Sequence, residues 1–584
     1  MKEILFKDLA ELAVEKDRVS GELTADKWQT LDYETAEGKG KLLLAGECTY
    51  PQEVTLRLNV RGWHRIYLGL LSVTGSEFTE LRLSGGARAG FMPSHTRGVN
   101  GYPAWGTYEW IEEDFWRAAD LTGKDIIISK PPAAGAAVAS ALAFLRLEPM
   151  SQKEVNEYSA PDTEKNVMYH FDTDFYVRGN YASASEYAGR VEMLKKGRGE
   201  ILLLETSFDD GAVVESSPDD PFYLYGRRNI DRYMSKYLKD KTAVQTAIIN
   251  KAHGEGMRVL AANRMELGDF FVPYAEKTYN AGYQDKYPGL CCRTRTGNKI
   301  AALSYAYPEA RKIAVDKLLS RVQNGFDGVS LIFHRGVHVA FEKPVIDKVK
   351  ELYGVDAHEL PYSDARLNGV LRGYMTEFMR GLRAALDNLS AKRKRERYHV
   401  NAVVYYDADS SADFGLDVDA WARDGLIDSV SQGLMTHYED LDGCMQDGAP
   451  SLIDLEKYRR INGTRVILKR EHNDITGRVA SGIPGFLDIS KKYGIDFYAT
   501  LAWEGNRYWE HLALAKAVYN AGAQKLIVWN GNHVTERLPV LNTVKSCADK
   551  DGVISGKTPG CVKFRRVLSI AGRDISEYNP NWRG

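Results

Sequence analysis

The chain lacks the features of several common protein classes. Its 584 residues carry a formal net charge of -2, which argues against a nucleic-acid partner because phosphate binding needs a basic surface. No run approaches the roughly 18 apolar residues of a membrane-spanning helix. The first 17 residues, MKEILFKDLAELAVEKD, contain acids throughout and no apolar core, so they do not resemble a signal peptide. We expect a cytoplasmic protein without a membrane span, or a periplasmic or secreted one whose leader has been removed.

Cysteine is scarce and is not arranged for metal binding. The six cysteines include no C-x-x-C pair, and no histidine lies at zinc-finger spacing from them. His170 and Asp172 could form a metal pair, but no third ligand follows at a recognisable spacing. The chain also lacks the G-x-S-x-G of serine hydrolases and the G-x-x-x-x-G-K-[ST] of phosphate-binding loops. These absences predict a protein without a metal or other cofactor.

Tyrosine and tryptophan, in contrast, are plentiful. The chain contains 33 Tyr and 10 Trp, whose rings combine a flat apolar face with a polar edge. Such rings suit the binding of sugars, and they suit protein interfaces such as those of a homo-oligomer equally well. Composition therefore hints at a carbohydrate partner or a protein interface and does not choose between them.

The first quarter of the chain is patterned as β-structure. Residues 1–20 place Leu5, Leu9, Leu12 and Val14 on one side of an amphipathic helix. From about residue 28 to 150, short alternating runs separated by Gly and Pro predict an antiparallel β-sandwich of jelly-roll type. Such a domain either binds carbohydrate or supports its neighbour. Residues 1–150 are therefore expected to be a β-sandwich with a short N-terminal helix, and residues 151–164 a linker or connecting helix.

From residue 165 the pattern becomes strand followed by helix. Repeated units of this length predict an α/β fold, a (β/α)8 TIM barrel, over residues 165–545. Nine apolar runs compete for its eight strands, so one of the runs near 427, 465 or 497 must lie outside the barrel. Residues 546–584 are expected to form a β-hairpin tail on the barrel or the sandwich. The nine candidate strands are 167–171, 201–204, 258–264, 329–333, 400–406, 427–430, 464–468, 496–501 and 525–529.

A charged pair follows the apolar run 329–333. In a parallel barrel, the residues just past the carboxyl ends of the strands form the active-site face. His334 and Arg335 occupy that place. They either belong to a functional site or only cap the strand and pair with a loop carboxylate.

Several motifs in and around this region resemble those of a known family. They include LSYAYPEAR at 303–311, GFDGVSL at 325–331, VKELYGVD at 349–356, TEFMR at 376–380 and HFDTD at 170–174. On the basis of these motifs, most of the chain resembles the glycoside-hydrolase-like barrel proteins of bacteria that degrade polysaccharides. The resemblance implies hydrolysis of a glycosidic bond in a polysaccharide or oligosaccharide. Similar sequences often carry an Asp before the aromatic residue at the strand end, where this chain has Ile332 before Phe333, so any such carboxylate must be supplied elsewhere.

Glycoside hydrolysis usually needs two carboxylates, one as acid and the other as nucleophile or base. Their pKa values are separated by their surroundings, typically an apolar pocket for one and hydrogen-bond donors for the other. Glu504 ranks first among the strand-end acids because it follows an apolar run and stands beside Trp503. Glu471, flanked by two basic residues, ranks second, and Glu205, which ends a run of leucines, ranks third. Each of them could instead be a salt-bridge partner or a strand cap.

Other strand-end side chains are expected to bind the substrate. The basic ones would contact hydroxyls, or a carboxylate or sulfate of the sugar, and the aromatic ones would stack on ring faces. The Asn-Gly-Asn sequence at 530–532 either supplies amide donors or is a tight turn. The expected substrate-binding residues are Arg335, His334, His170, Asp172, Asp174, Tyr405, Asp407, Trp503, Trp529, Asn530, Asn532 and His533.

Two rival functions share the same pattern. One is a barrel that binds carbohydrate without cleaving it, and the other is a lyase or another sugar-active enzyme, because a fold does not fix a reaction. Two carboxyl groups about 5 to 10 Å apart around one pocket would indicate a hydrolase. Aromatic side chains without such a pair would indicate a binding protein.

Overall fold

The largest hydrophobic clusters lie between antiparallel sheets near the N-terminus and around a parallel barrel. No helix in the described part of the chain is long and apolar enough to cross a membrane. The structure is a computed structural model that describes residues 2–46, 49–71, 79–86, 89–91, 110–130, 139–160, 164–171, 184–195, 197–206, 241–265, 267, 286–293, 295, 297, 299–334, 338–361, 364–433, 475–502, 508–529, 531, 535, 538–556 and 562–574.

The N-terminal strands form two mainly antiparallel sheets that share one core. The smaller sheet has four strands in the order Val54–Leu56, Ile126–Ser129, Thr79–Leu83 and Ala89–Phe91, and the other strands belong to the larger sheet. Trp28 and Leu68 of the larger sheet pack in one cluster with Val54 and Leu81 of the smaller one. In chain order the strands are β1 (Ile4–Phe6), β2 (Val19–Ser20), β3 (Trp28–Thr35), β4 (Gly38–Ala45), β5 (Val54–Leu56), β6 (Trp63–Leu71), β7 (Thr79–Leu83), β8 (Ala89–Phe91), β9 (Trp110–Asp120), β10 (Ile126–Ser129) and β11 (Ser140–Pro149).

A closed barrel of eight parallel strands follows, as the sequence predicted. A hairpin of Cys291–Arg293 and Lys299–Leu303 is inserted after the third barrel strand, Arg258–Arg264. The last barrel strand, Lys525–Val528, pairs with the first, Val167–Phe171, and closes the barrel. The candidate runs near 427 and 497 supply β19 and β20, and the candidate at 464–468 lies outside the described residues. In chain order the strands are β12 (Val167–Phe171), β13 (Gly199–Glu205), β14 (Arg258–Arg264), β15 (Cys291–Arg293), β16 (Lys299–Leu303), β17 (Gly328–Ile332), β18 (His399–Val404), β19 (Ser429–Gln432), β20 (Asp496–Ala502) and β21 (Lys525–Val528).

The C-terminal hairpin joins the N-terminal sheet. Its strands are β22 (Val562–Ile570) and β23 (Arg573–Asp574). Strand β22 pairs antiparallel with β9 and with β3. The turn between the two strands, Ala571 and Gly572, has positive φ at both residues, the backbone that a two-residue hairpin turn requires.

The helices lie mainly between barrel strands and cover its outer face. The predicted linker contains the helix Gln152–Ser159, which begins with a capping box of Ser151 and Glu154. The described α-helices are Leu9–Leu12, Gln152–Ser159, Ala184–Ala188, Val191–Lys195, Lys241–Gly254, Pro308–Val322, Lys343–Tyr353, Ala365–Arg393, Ala408–Asp413, Val418–Arg423, Ile475–Tyr493, Tyr508–Asn520, Leu538–Ala548 and Lys550–Ser555, with 3-10 helices at Lys16–Arg18, Pro288–Leu290 and Ala357–Glu359.

The N-terminal segment differs from the amphipathic helix expected over residues 1–20. Ile4–Phe6 is instead a strand that pairs with β11, and only Leu9–Leu12 is helical before the 3-10 turn Lys16–Arg18. A short apolar run fits either state, and pairing with a neighbouring strand decided this one.

The two ends of the barrel interior differ in chemistry. Side chains such as Leu203, Leu260 and Val403 fill its centre. At the amino end, Nζ of Lys525 lies 3.0 Å from Oε1 of Glu200, whose other oxygen accepts a 2.9 Å hydrogen bond from a tyrosine hydroxyl. These contacts lie at the amino end of the barrel, which in TIM barrels usually serves stability. Active sites form at the opposite, carboxyl end.

Candidate active site

A glutamate, a histidine and an arginine meet at the carboxyl ends of β12, β13 and β14. Glu205 is the last residue of β13 and has no exposed surface. Its Oε2 lies 3.3 Å from Nε2 of His170 and 3.5 Å from Nε of Arg264. Two of these residues, Glu205 and His170, were predicted site residues, and the structure brings their side chains into contact.

The strand pairing explains why these side chains converge. His170 pairs with Leu203 and Glu205 with Ala262, so both predicted residues stand near the ends of parallel ladders. The amide and the hydroxyl of Thr206 both bond to the carbonyl of Ala262, at 2.7 and 3.2 Å. These bonds fix the chain just after Glu205. Since a buried charge is costly unless it is paired, the contacts with His170 and Arg264 help to stabilise the carboxylate.

Trp529 lies between two predicted site histidines. Its ring centroid is 4.9 Å from that of His170 and also 4.9 Å from that of His334, with the second contact edge-on at 88°. Trp529 is only 3% exposed. In this arrangement the indole holds both imidazoles in place, and it has little open face for stacking on a sugar.

A hydrogen bond fixes the indole. Nε1 of Trp529 donates to Oγ1 of Thr500 at 3.2 Å, and that hydroxyl donates to the carbonyl of Gln432 at 2.5 Å. The Gln432 amide in turn donates to the carbonyl of Tyr406 at 2.7 Å. Trp529 is therefore anchored to residues that lie on or just after three other barrel strands.

The loop after β19 leaves room for His334. A Cβ added at Gly433 would meet the carbonyl oxygen of Val404 and would lie 2.6 Å from Nδ1 of His334. The amide of Gly433 donates to the same carbonyl at 2.8 Å. Glycine at this position allows the backbone and the imidazole to approach closely.

The inserted hairpin is bonded to the loop that contains His338 and Glu342. The buried carboxylate of Glu342 accepts the backbone N–H of Arg293 at 2.9 Å and that of Ala340 at 3.0 Å. Burial raises the pKa of Glu342. In the same loop, Nε2 of His338 lies 2.9 Å from the carbonyl of Phe333, and burial lowers the pKa of His338 to about 4. These contacts tie the segment after His334 to the inserted hairpin.

Two predicted site residues have structural partners. Tyr405 is 1% exposed and packs against the ring of Phe414 at 5.5 Å, and its contact with a sugar stays a prediction. Asp407 is the N-cap of the helix Ala408–Asp413 and accepts bonds from the amide and the hydroxyl of Ser410, both at 2.7 Å. Capping a helix satisfies amide groups that otherwise have no partner.

Ile332, where the resemblance to the barrel family led us to look for an Asp, faces the barrel interior. Ile332 is 1% exposed and belongs to the interior cluster with Ala262 and Val403. An isoleucine fits this apolar layer. This position therefore carries no carboxylate, whereas Glu205 stands at the carboxyl end of β13.

The remaining predicted site residues lie outside the described residues. This holds for the two acids ranked above Glu205 and for most of the predicted binding residues. They are Glu504, Glu471, Arg335, Asp172, Asp174, Trp503, Asn530, Asn532 and His533.

Three residues of the cluster were not predicted from the sequence. Arg264 ends β14 as Glu205 ends β13, so extending the strand-end rule to every charged residue would have found it. Thr500 and Gly433 carry no comparable signal. Their roles depend on contacts with Trp529 and His334, which are distant in sequence. Among the described residues, no group of three or more His, Cys, Asp or Glu side chains is placed to hold a metal ion.

The fold and this cluster define a closed parallel β/α barrel with a Glu-His-Arg group at its carboxyl end, in which the glutamate and the histidine are buried. No protein-family model and no curated protein matches the chain. Similar solved structures include the catalytic domain of a beta-amylase from Paenibacillus polymyxa, with 10% identity, a TM-score of 0.37, and coverage of 68% of this chain and 100% of that one. Another is the glycoside hydrolase domain of PgaB (BpsB) from Bordetella bronchiseptica, with 13% identity, a TM-score of 0.38, and coverage of 66% and 99%. A third is an alpha-galactosidase from Thermus thermophilus, with 10% identity, a TM-score of 0.31, and coverage of 89% and 94%. These structural neighbours are glycoside hydrolases, whereas the fold class of this chain follows from its own strand pairings.

Proposed function

We propose that the chain is a glycoside hydrolase that cleaves a bond in an oligosaccharide or polysaccharide, with Glu205 as one of two carboxylates. The observation that carries this proposal is the fully buried Glu205 at the carboxyl end of a barrel strand, in contact with His170 and Arg264. A buried carboxylate is costly to keep, and such groups concentrate at functional sites.

The neighbours of Glu205 suit one of the two roles. A cationic guanidinium at 3.5 Å favours the ionised form of a carboxylate. An ionised carboxylate serves as nucleophile or base, and the acid must then be a second group. We assign that second role to Glu504, because its neighbour Trp503 would supply apolar surroundings that keep a carboxyl group protonated. Glu471, which is flanked by Arg470 and His472, is the alternative to Glu205 as the ionised carboxylate.

Substrate binding is proposed for the side chains around Glu205. His170 and His334 are held by Trp529 and present imidazole nitrogens at the carboxyl end of the barrel. The residues that directly follow the barrel strands complete the proposed binding set. They are Asp172, Asp174, Arg335, Trp503, Asn530, Asn532 and His533.

One observation favours a different function, a barrel that binds carbohydrate without cleaving it. Ile332 fills an interior position with an apolar side chain, and similar sequences often carry an Asp there. In that case Glu205 would contact sugar hydroxyls and no second carboxylate would act. A hydrolase and a carbohydrate-binding barrel would both bind the sugar, but only the hydrolase would cleave it. Measuring affinity and turnover on the same sugar therefore separates the two functions.

The test first measures turnover of aryl glycosides and a panel of oligosaccharides by the purified protein. The kcat of Glu205→Gln is then measured on each substrate that the wild type cleaves. Loss of an acid-base or nucleophilic carboxylate should lower kcat by about 10²- to 10⁴-fold while leaving the fold intact. Glu205→Ala with added azide should regain rate if Glu205 acts as nucleophile or base, because the small anion can replace it.

The control is Glu200→Gln, the same change on the same strand at the amino end of the barrel. Glu200 pairs with Lys525, so this variant should lose stability but keep its kcat. Wild-type turnover in Glu205→Gln would refute the assignment of Glu205. Tight sugar binding without any cleavage by the wild type would favour the binding function.

A further inference from the structure

Of the two ring nitrogens of His170, Nε2 contacts a carboxylate and Nδ1 has no hydrogen-bond partner in the described part of the chain. The imidazole is 1% exposed, and its Nε2 lies 3.3 Å from Oε2 of Glu205. Within the described part of the chain, Nδ1 of His170 is a buried atom with no hydrogen-bond partner. Buried polar atoms are nearly always paired, so an exception in a candidate site calls for an explanation.

The position of the ring is fixed on two sides. His170 lies within β12, where it pairs with Leu203 of β13, so its backbone cannot shift along the barrel. The ring of Trp529 contacts it at a centroid distance of 4.9 Å. Trp529 is itself bonded to Thr500. The unused nitrogen is therefore held in place at the carboxyl end of the barrel.

Glu205 determines which ring nitrogen carries the proton. An ionised carboxylate only accepts hydrogen bonds, and the guanidinium of Arg264 beside the same oxygen favours ionisation. Nε2 of His170 must then be the donor, because two acceptors facing each other would repel. In a neutral imidazole, one nitrogen carries the proton and the other presents a lone pair, whereas an imidazolium carries a proton on both. Nδ1 of the neutral ring is thus left as an acceptor.

We propose that Nδ1 of His170 is a specificity-determining acceptor that takes a hydrogen bond from a hydroxyl group of the sugar. This inference rests on the proposed function and sharpens it. The sequence left open whether His170 meets a hydroxyl or an anionic carboxylate or sulfate. A lone pair at Nδ1 attracts a hydroxyl hydrogen and repels an anionic oxygen, so the group that His170 contacts is a neutral hydroxyl.

The tautomer can be tested without any ligand. In protein labelled with ¹⁵N-histidine, the two ring nitrogens of His170 are assigned by the signals missing from His170→Gln. Nε2 should show the chemical shift of a protonated nitrogen and Nδ1 that of an unprotonated one. A proton on Nδ1 would overturn the proposal, whatever the protein cleaves.

The contact itself is tested with deoxy analogues of a cleaved glycoside. In the wild type, removing the contacted hydroxyl should lower kcat/KM by about 10-fold, the scale of one lost hydrogen bond. In His170→Gln, whose amide reaches the Nε2 position but not the Nδ1 position, the same deoxy analogue should react as well as the parent. His170→Asn, whose amide reaches the Nδ1 position, should keep part of the discrimination. Such a pattern does not arise from a merely structural role.

A matched control lies at the other end of the barrel. Nε2 of His253 lies 2.7 Å from Oδ2 of Asp327, which gives the same type of histidine–carboxylate pair at the amino end. His253→Gln should leave the preference for every hydroxyl unchanged. If the wild type and His170→Gln discriminate equally against all deoxy analogues, the proposal is refuted and the hydrolase function stands.

The remaining outcomes separate this inference from the proposed function. If the wild type binds a sugar of the panel but cleaves none, the hydrolase function is refuted. The parent sugar and its deoxy analogues are then compared by their dissociation constants for the wild type and for His170→Gln. If it binds no sugar of the panel, the hydroxyl contact is refuted together with the function, while the nitrogen shifts still decide the tautomer.

Discussion

Replacing Gly433 with alanine tests whether the packing around His334 matters. The added Cβ would overlap the carbonyl oxygen of Val404 and would lie 2.6 Å from Nδ1 of His334, which is closer than non-bonded atoms tolerate. The carbonyl cannot move freely because it accepts the Gly433 amide at 2.8 Å. The imidazole cannot retreat freely either, because the ring of Trp529 lies 4.9 Å away.

The size of the effect follows from this lack of room. Overpacking a well-filled site typically costs about 1 to 3 kcal/mol, and we expect Gly433→Ala to lie in this range. Displacing a positioned side chain by about 1 Å can lower the rate of a reaction by about 10²-fold. The variant should therefore lose both free energy of unfolding and kcat/KM if His334 contacts the substrate.

The assay is urea unfolding followed by kinetics on a cleaved substrate. Gly381→Ala is the matched control, because Gly381 lies inside the helix Ala365–Arg393 and a Cβ there meets nothing within 4 Å. That variant should gain about 0.5 to 1 kcal/mol, since glycine weakens helix interiors, and should keep its kinetics. An unchanged urea midpoint and unchanged kcat/KM in Gly433→Ala would refute the steric argument.

Two further predictions concern the loop that contains His338 and Glu342. Because the folded state favours a neutral His338, with a pKa of about 4, the stability it contributes above pH 6.5 is lost as the pH falls toward 4. Between pH 7 and pH 5 this loss is about 2 kcal/mol, and urea titrations at the two pH values should show it in the wild type but not in His338→Gln; an equal loss in both would contradict the prediction. Glu342→Gln should cost about 1 to 3 kcal/mol, because the amide groups of Arg293 and Ala340 lose a carboxylate acceptor. The exposed Glu351→Gln is its control in the same titration, and equal midpoints for the two variants would show that the Glu342 contacts contribute nothing.

Much of the barrel was predictable because its strands are buried on both faces. Continuous apolar runs such as the one before Glu205 indicate such strands, and glycines mark the helix ends that precede them. The first 20 residues were harder to predict, because a short apolar run fits a helix or a strand equally well. Pairing of Ile4–Phe6 with β11, about 140 residues away, decided the outcome.

The site was predictable only in part, for a similar reason. The position of Glu205 and His170 at strand ends can be inferred locally, since parallel strands deliver their carboxyl ends to one face. Tyr405 packs on Phe414 and Asp407 caps a helix because of the neighbours that the folded chain gives them. Strand-end position alone does not distinguish a ligand-binding side chain from a structural one.

From residue 165 onward, the sequence by itself determined a succession of strands and helices that is typical of an eight-stranded barrel, because burial and periodicity act over a few neighbouring residues. Only the tertiary structure decided that Glu205 contacts His170 and Arg264 and that Trp529 separates two histidines. These contacts join residues from different strands, and their distances depend on how the barrel closes. Periodicity along the chain contains no information about that closure.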